Sequence, residues 1–277
     1  MKKYLFLLLS TLFLQQQAQA GFPIGKGKYL LVPSYNLYQA KGYWDRDRKF
    51  TPYNNGGRFT SHYFGIYGGL GIGEKLDFVA NVSYVLQRSV ENNFSSQNAS
   101  LGDASFGLQY LLNSFDYYRF LTVSGSLIVP LYSNDPAKLP YTGFQQTGAE
   151  VKLGYSGTNR ERLANTYYDI TGGVRQFFSA EGPTQFFADV LFGVPLDEDN
   201  KLTFSFNTVK SSSASDAFNP NNLGLNRQFS YFRLQAGYGR AINSEVQLFL
   251  NIFQDIAGTN TGKGSGGSLS LVAKISR

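Results

Sequence analysis

Residues Ser100–Leu131 read SLGDASFGLQYLLNSFDYYRFLTVSGSLIVPL, and their pattern decides the fold. Between Asp103 and Leu111 the even positions are Ala104, Phe106, Leu108 and Tyr110, while the odd ones are Asp103, Ser105, Gly107 and Gln109. After a turn at Asn113–Tyr118 the alternation resumes, with Leu121, Val123, Leu127 and Val129 set against Thr122, Ser124 and Ser126. A period of two on both sides of a tight connection is a β-hairpin with one apolar face. That face meets either a protein core or lipid, and the rest of the chain chooses between them.

Outward from this hairpin the same unit recurs. Strands are expected near Tyr29–Gln39, Thr60–Ile72 and Leu76–Gln87 before it. Those after it are Ala149–Ser156, Tyr167–Phe178, Thr184–Leu196, Lys201–Lys210, Tyr231–Ile242, Val246–Ile256 and a last one from Ser268. Pro33 marks the first as an edge or a bulge. With the two hairpin strands the count is twelve, an even number as bacterial barrels have.

The connections sort by length. Lys41–Arg58, Val90–Asn98, Tyr132–Gly148, Ser179–Pro183, Ser211–Gln228 and Thr259–Gly267 fall at one end. Gly73–Lys75, Asn113–Tyr118, Thr158–Asn165, Asp197–Asn200 and Asn243–Glu245, mostly short, fall at the other. Short turns inside and long loops outside are the asymmetry of outer-membrane barrels. A soluble sandwich has no reason to sort its loops, and its strands run shorter. The expected fold class is therefore all-β, a transmembrane antiparallel up-and-down β-barrel of about twelve strands in the cell outer membrane.

Composition agrees. Aromatic residues make up 16% of the chain, with 30 Gly, 19 Tyr and 24 Phe against 1 Trp, 1 His and no Cys. Lys2 and Lys3 precede an apolar run, Tyr4–Leu14, that ends at Ala18-Gln19-Ala20, the pattern of a secretory signal peptide. The expected organisation is a signal peptide over 1–20 and one barrel domain over 21–277. Without cysteines there is no disulfide framework, so a closed sheet must hold the chain together. The net charge of +6 becomes +4 without Lys2 and Lys3, too small and dispersed for nucleic acid. One His and no Cys exclude a His/Cys metal cluster, and no cofactor is expected.

Leu101-Gly102-Asp103, then Phe106-Gly107-Leu108, and one hairpin later Val129-Pro130-Leu131, resemble the Gram-negative outer-membrane channels associated with meta-cleavage degradation of phenols. Ile24-Gly25-Lys26-Gly27 before a Tyr-rich strand is similar too. The chain departs from that family's frequent Pro-Thr-Gly at Pro130-Leu131-Tyr132. The resemblance implies a transporter or channel for small, often aromatic or hydrophobic, molecules.

The barrel register turns Asp77, Asp103, Glu150, Lys152, Asp169, Arg175, Asp189, Arg233, Asp255 and Lys274 inward. Asp103, Glu150, Lys152, Asp169, Arg175, Asp189, Arg233 and Asp255 are the candidates for lining or constricting a lumen. Paired across a barrel of this width, such charges also simply fill and stiffen it. Phe22, Trp44, Tyr53, Tyr141 and Phe144 are expected as outer-loop aromatics able to collect an apolar solute. The expected partners are outer-membrane lipid and a small-molecule solute. Two other readings stay open: a structural or adhesive barrel acting through its outer loops, and a lipid-modifying enzyme. His62 is the only base for the latter, and neighbouring Ser61 points to the opposite face of the strand. A non-enzymatic protein is expected.

Overall fold

The computed structural model describes residues 22–91, 94–159, 166–217 and 226–276. The expected signal peptide and most of the 158–165 turn lie outside the described residues. The strands are β1 (Lys28–Trp44), β2 (Phe50–Pro52), β3 (Arg58–Gly71), β4 (Leu76–Glu91), β5 (Phe94–Leu101), β6 (Asp103–Phe115) and β7 (Arg119–Pro130). They continue as β8 (Gly148–Asn159), β9 (Thr166–Phe177), β10 (Thr184–Pro195), β11 (Asn200–Ser212), β12 (Phe229–Ala241), β13 (Val246–Thr259) and β14 (Thr261–Ser276). Successive wall strands pair antiparallel, and β14 pairs back onto β1 from Lys28↔Ser276 to Trp44↔Thr261. β2 only extends the outer end of β1, and β5 and β6 both lie along β4 as one broken wall strand. The result is a closed barrel of 12 strands.

Closure leaves the twelve-strand wall itself without a free edge, only the outer extensions β2 and β5 being paired on one side, and the residue alternation then separates two solvents. Ile252 on β13 is 69% exposed, whereas Asp77 on β4 is 2% exposed. A water-soluble fold would reverse that order, so the apolar outer face is the one that meets lipid. In the opening hairpin Phe106, Leu108 and Tyr110 lie on the exposed outer wall, and Gln109 is buried in the lumen.

Four expectations change. First, β1 is no edge strand: Pro33 pairs with Ile66 on β3, and the ladder to β14 merely lapses at Val32 and Pro33, where proline offers no N–H. Second, most of 90–98 is a β4–β5 hairpin, with Gln87↔Asn98 and Glu91↔Phe94 paired, rather than a loop. Both of its faces are wet, so apolar alternation fades there. Third, Gly102 is a bulge. The register passes from Tyr84↔Leu101 to Asn81↔Ser105, which adds one residue and switches the inward positions from even in β5 to odd in β6. A Cβ at Gly102 would overlap the Ser83 hydroxyl, so a larger residue in the bulge requires that side chain to turn away.

Fourth, the glycine-rich 259–267 stretch is strand, not loop. β13 and β14 meet at a turn containing Asn260, whose φ is 52°, and Gly264, Ser265, Gly266 and Gly267 pair with Ala40, Gln39, Tyr38 and Leu37. The glycines make room for large rings inside the barrel. A Cβ on Gly264 would overlap the Tyr38 ring, and one on Gly258 would come within 2.6 Å of Trp44. Gly264→Ala is therefore expected to destabilise the barrel by about 1–3 kcal/mol through overpacking. Urea unfolding in detergent micelles checks this; an unchanged midpoint would show that the Tyr38 ring simply swings aside.

Candidate functional site: a two-chambered lumen

The mouth is narrowed by the segment between β7 and β8, which folds inward and is fastened to β5. Asn98 Nδ2 donates to the Pro140 carbonyl at 3.0 Å, and the Ser100 and Thr142 hydroxyls lie 2.6 Å apart. Within the segment Asn134 Nδ2 donates to the Gly143 carbonyl at 2.8 Å, and the Tyr132 hydroxyl accepts from Gln145 N at 3.0 Å. Tyr132 also hydrogen-bonds Asp103. Burial, then the adjacent Asp103 carboxylate, pushes the Tyr132 phenol well above its usual range, so it stays a donor to that carboxylate. Asp103 therefore anchors the segment at its base.

Below the segment is an outer chamber of about 420 Å³. Tyr38, Tyr53, Phe59, Tyr63, Tyr141 and Phe253 line it. At its floor Arg233 grips Asp255 in a fork, Nε to Oδ1 at 2.7 Å and Nη2 to Oδ2 at 3.2 Å. The guanidinium carbon lies 4.2 Å from the Phe253 ring centroid, with Tyr231 at 5.5 Å and Tyr38 at 5.6 Å. Cation–π contact on the faces and carboxylate contact on the edge leave this cation little freedom.

An inner chamber of about 670 Å³ follows, and Tyr231 lines both chambers. Glu150 on β8 is the hub of an ion-pair network there. It receives Arg175 Nε at 3.0 Å and Nη2 at 2.6 Å, and Lys152 Nζ lies 3.0 Å from its other oxygen. Asp189 accepts from Asn207 Nδ2 at 2.7 Å, and Asp169 from Thr171 Oγ1 at 3.3 Å.

The eight candidates thus fall into three places. Glu150, Lys152, Asp169, Arg175 and Asp189 share the inner chamber, Arg233 and Asp255 form the floor of the outer one, and Asp103 holds the mouth segment. Sequence reasoning missed the inward rings, above all Tyr38, Tyr231 and Phe253. Their signal is in the sequence, because rings such as Tyr63 and Tyr67 occupy the polar parity of β3, the parity that faces the lumen.

At the short-turn end the chain before β1 enters the lumen. Ile24 N donates to Asp77 Oδ2 at 3.0 Å, Gln109 Nε2 to the Phe22 carbonyl at 3.3 Å, and Gly27 N to the Gly71 carbonyl at 2.8 Å. Phe22 sits edge-on to Phe120, with centroids 6.0 Å apart, and Ile24 packs with Leu30 and Val79. Phe22 is therefore not an outer-loop aromatic but lies at the opposite end. Of the other expected loop aromatics, Tyr53 and Tyr141 do line the outer chamber, while Trp44 is buried and Phe144 packs edge-on to Phe177 at 5.2 Å.

No family model and no curated protein sequence matches the chain. Solved structures do. An outer-membrane channel from Pseudomonas putida F1 superposes with a TM-score of 0.69 at 13% identity, over 94% of this chain and 97% of that one. The β domain of the Bordetella autotransporter BrkA gives 0.55 at 11% identity, over 90% and 100%. The translocator domain of the autotransporter NalP from Neisseria meningitidis gives 0.50 at 12% identity, over 91% and 89%. The protein is an outer-membrane β-barrel.

Proposed function

We propose that the barrel is a channel or transporter that carries small solutes, aromatic or hydrophobic ones among them, across the outer membrane. The observation that carries this reading is the pair of chambers meeting at one ring: a cavity of about 420 Å³ under the outer loops and one of about 670 Å³ below it share Tyr231. A barrel that only displayed loops would gain nothing from an aromatic-lined cavity beneath them. The likeness to the Pseudomonas putida channel supports the reading, as does the sequence resemblance to channels of phenol-degrading bacteria.

Purified protein in planar bilayers should give discrete current steps. Tyr231→Ala, which removes the ring between the chambers, should raise the step size modestly, since the segment at the short-turn end still stands in series with it, while Tyr231→Phe should not. Silent protein, together with unchanged solute uptake in a deletion strain, would favour the loop-acting alternative. That alternative has its own observation: the outer segments are tied to one another by Arg46–Asp216 at 3.5 Å and Arg227–Glu181 at 2.5 Å. The lipid-modifying reading gains no such support, since the partner of His62 Nδ1 on the outer wall is the Tyr35 hydroxyl at 2.8 Å rather than a serine.

A further inference from the structure

The inner chamber has two unlike walls. Around the closed ring of twelve, β8, β9 and β10 stand diametrically across from β14, β1 and β3. All five charged side chains lining the chamber, Glu150, Lys152, Asp169, Arg175 and Asp189, come from the first group. The second group contributes Leu30, Val32, Tyr67 and Val272, with Ser270 as its one other lining residue. Phe187 and Leu191 interrupt the charged wall, Phe187 with the Arg175 guanidinium 5.7 Å from its ring centroid. The division is confined to the inner chamber: in the outer one the charged pair Arg233–Asp255 comes from β12 and β13, and β1 and β3 contribute Asn36 and Ser61 beside Tyr38 and Tyr63.

The charged wall is largely neutralised from within. Glu150 pairs with both Lys152 and Arg175, and with Asp169 and Asp189 beside them the two cations and three carboxylates of this wall sum to one net negative charge. Acceptor capacity remains on the carboxylate side: Asp189 takes one hydrogen bond from Asn207, and a carboxylate has about four lone-pair sites. A solute between these walls meets an apolar surface on one side and, on the other, a net-negative wall on which Asp189 keeps open acceptor sites.

We infer that the lumen selects ring-shaped solutes with an apolar face and hydroxyl donors along the edge. This rests on the channel reading above. The face of the ring lies on Leu30, Val32 and Tyr67, and its hydroxyls donate to Asp189. A ring without donors displaces water from the carboxylate and returns nothing to it. An aromatic acid brings a second negative charge to the same wall. A polyhydroxylated arene and a pyranose sugar share the required chemistry and differ in the thickness of the ring.

The test is current block in planar bilayers holding the full chain, with catechol, methyl glucopyranoside, uncharged pyridine or benzoate added to one side. Catechol or the glucoside is expected to block at a concentration about tenfold below that of pyridine or benzoate, the discrimination of one retained hydrogen bond. Which of the two blocks better separates the arene from the sugar. Asp189→Leu should abolish the difference, and Asp189→Asn, which keeps an acceptor, should retain it; heat-modifiable electrophoretic migration verifies that both variants fold. Equal block by pyridine and catechol, stronger block by benzoate, or a preference unchanged in Asp189→Leu overturns the inference while leaving the channel standing. Absence of any current in the parent protein overturns the channel reading and this inference with it.

Discussion

Gly71→Ala should open the short-turn end of the barrel. A Cβ at position 71 would overlap the Gly25 carbonyl, and backbone on both sides leaves no flexible side chain to yield. Gly69 imposes a second limit, because a Cβ there would overlap the Ile24 side chain. The segment before β1 is held by few contacts: the hydrogen bonds of Asp77 with the Ile24 and Gly25 backbone, the Gln109–Phe22 and Gly27–Gly71 hydrogen bonds, and the packing of Phe22 and Ile24. The wall behind it is fixed by continuous ladders on both sides of β3. The weaker partner moves, so the segment should leave the lumen while the barrel stays closed. The expected result is a several-fold larger single-channel current, with unchanged heat-modifiable migration. Asp77→Ala, which removes one anchor without a clash, should produce brief openings of the same size. If Gly71→Ala conducts like the parent, the segment does not limit the current.

The barrel was legible because lipid outside and water inside impose opposite demands on alternate residues. Phe106, Leu108, Leu121 and Val123 against Gln109 and Thr122 carry that signal directly. Legibility fails where the two solvents stop differing. Above the membrane the β4–β5 hairpin is wet on both faces, so 90–98 reads as loop. In β14 the inward glycines are shaped by Tyr38, far away in sequence, and by Phe253 across the β13–β14 hairpin, and the spacing of glycines alone cannot show which rings they accommodate.

For the site, inward parity was enough to gather Glu150, Lys152, Asp169, Arg175 and Asp189. Their concentration on three adjacent strands needs only strand order, and so was also available from sequence. Two things were not. The mouth segment's inward fold depends on Asn98, Ser100 and Asp103 meeting Pro140, Thr142 and Tyr132, contacts between an irregular backbone and a wall. The shift of parity at Gly102 was equally hidden, because a bulge adds a residue without changing composition.

Asp255→Ala should be the most destabilising change in the lumen. The Asp255 side chain is 3% exposed and that of Arg233 is 26% exposed, so removing the carboxylate leaves a largely enclosed cation facing Phe253, Tyr38 and Tyr231. Breaking such a pair from one side costs about 3–5 kcal/mol, and the partial exposure of Arg233 to the lumen puts the expected loss near the lower end. Ring faces soften the penalty without replacing a bidentate partner. Removing both charges is different. Arg233→Met with Asp255→Leu keeps the volume, discards the charge and should recover most of the stability. Urea unfolding midpoints of the parent, the single variant and the double variant, compared in one detergent, decide the matter. A single variant that unfolds with the parent would mean that lumen water already solvates Arg233, and the floor of the outer chamber would then be a wet ion pair instead of a clamp.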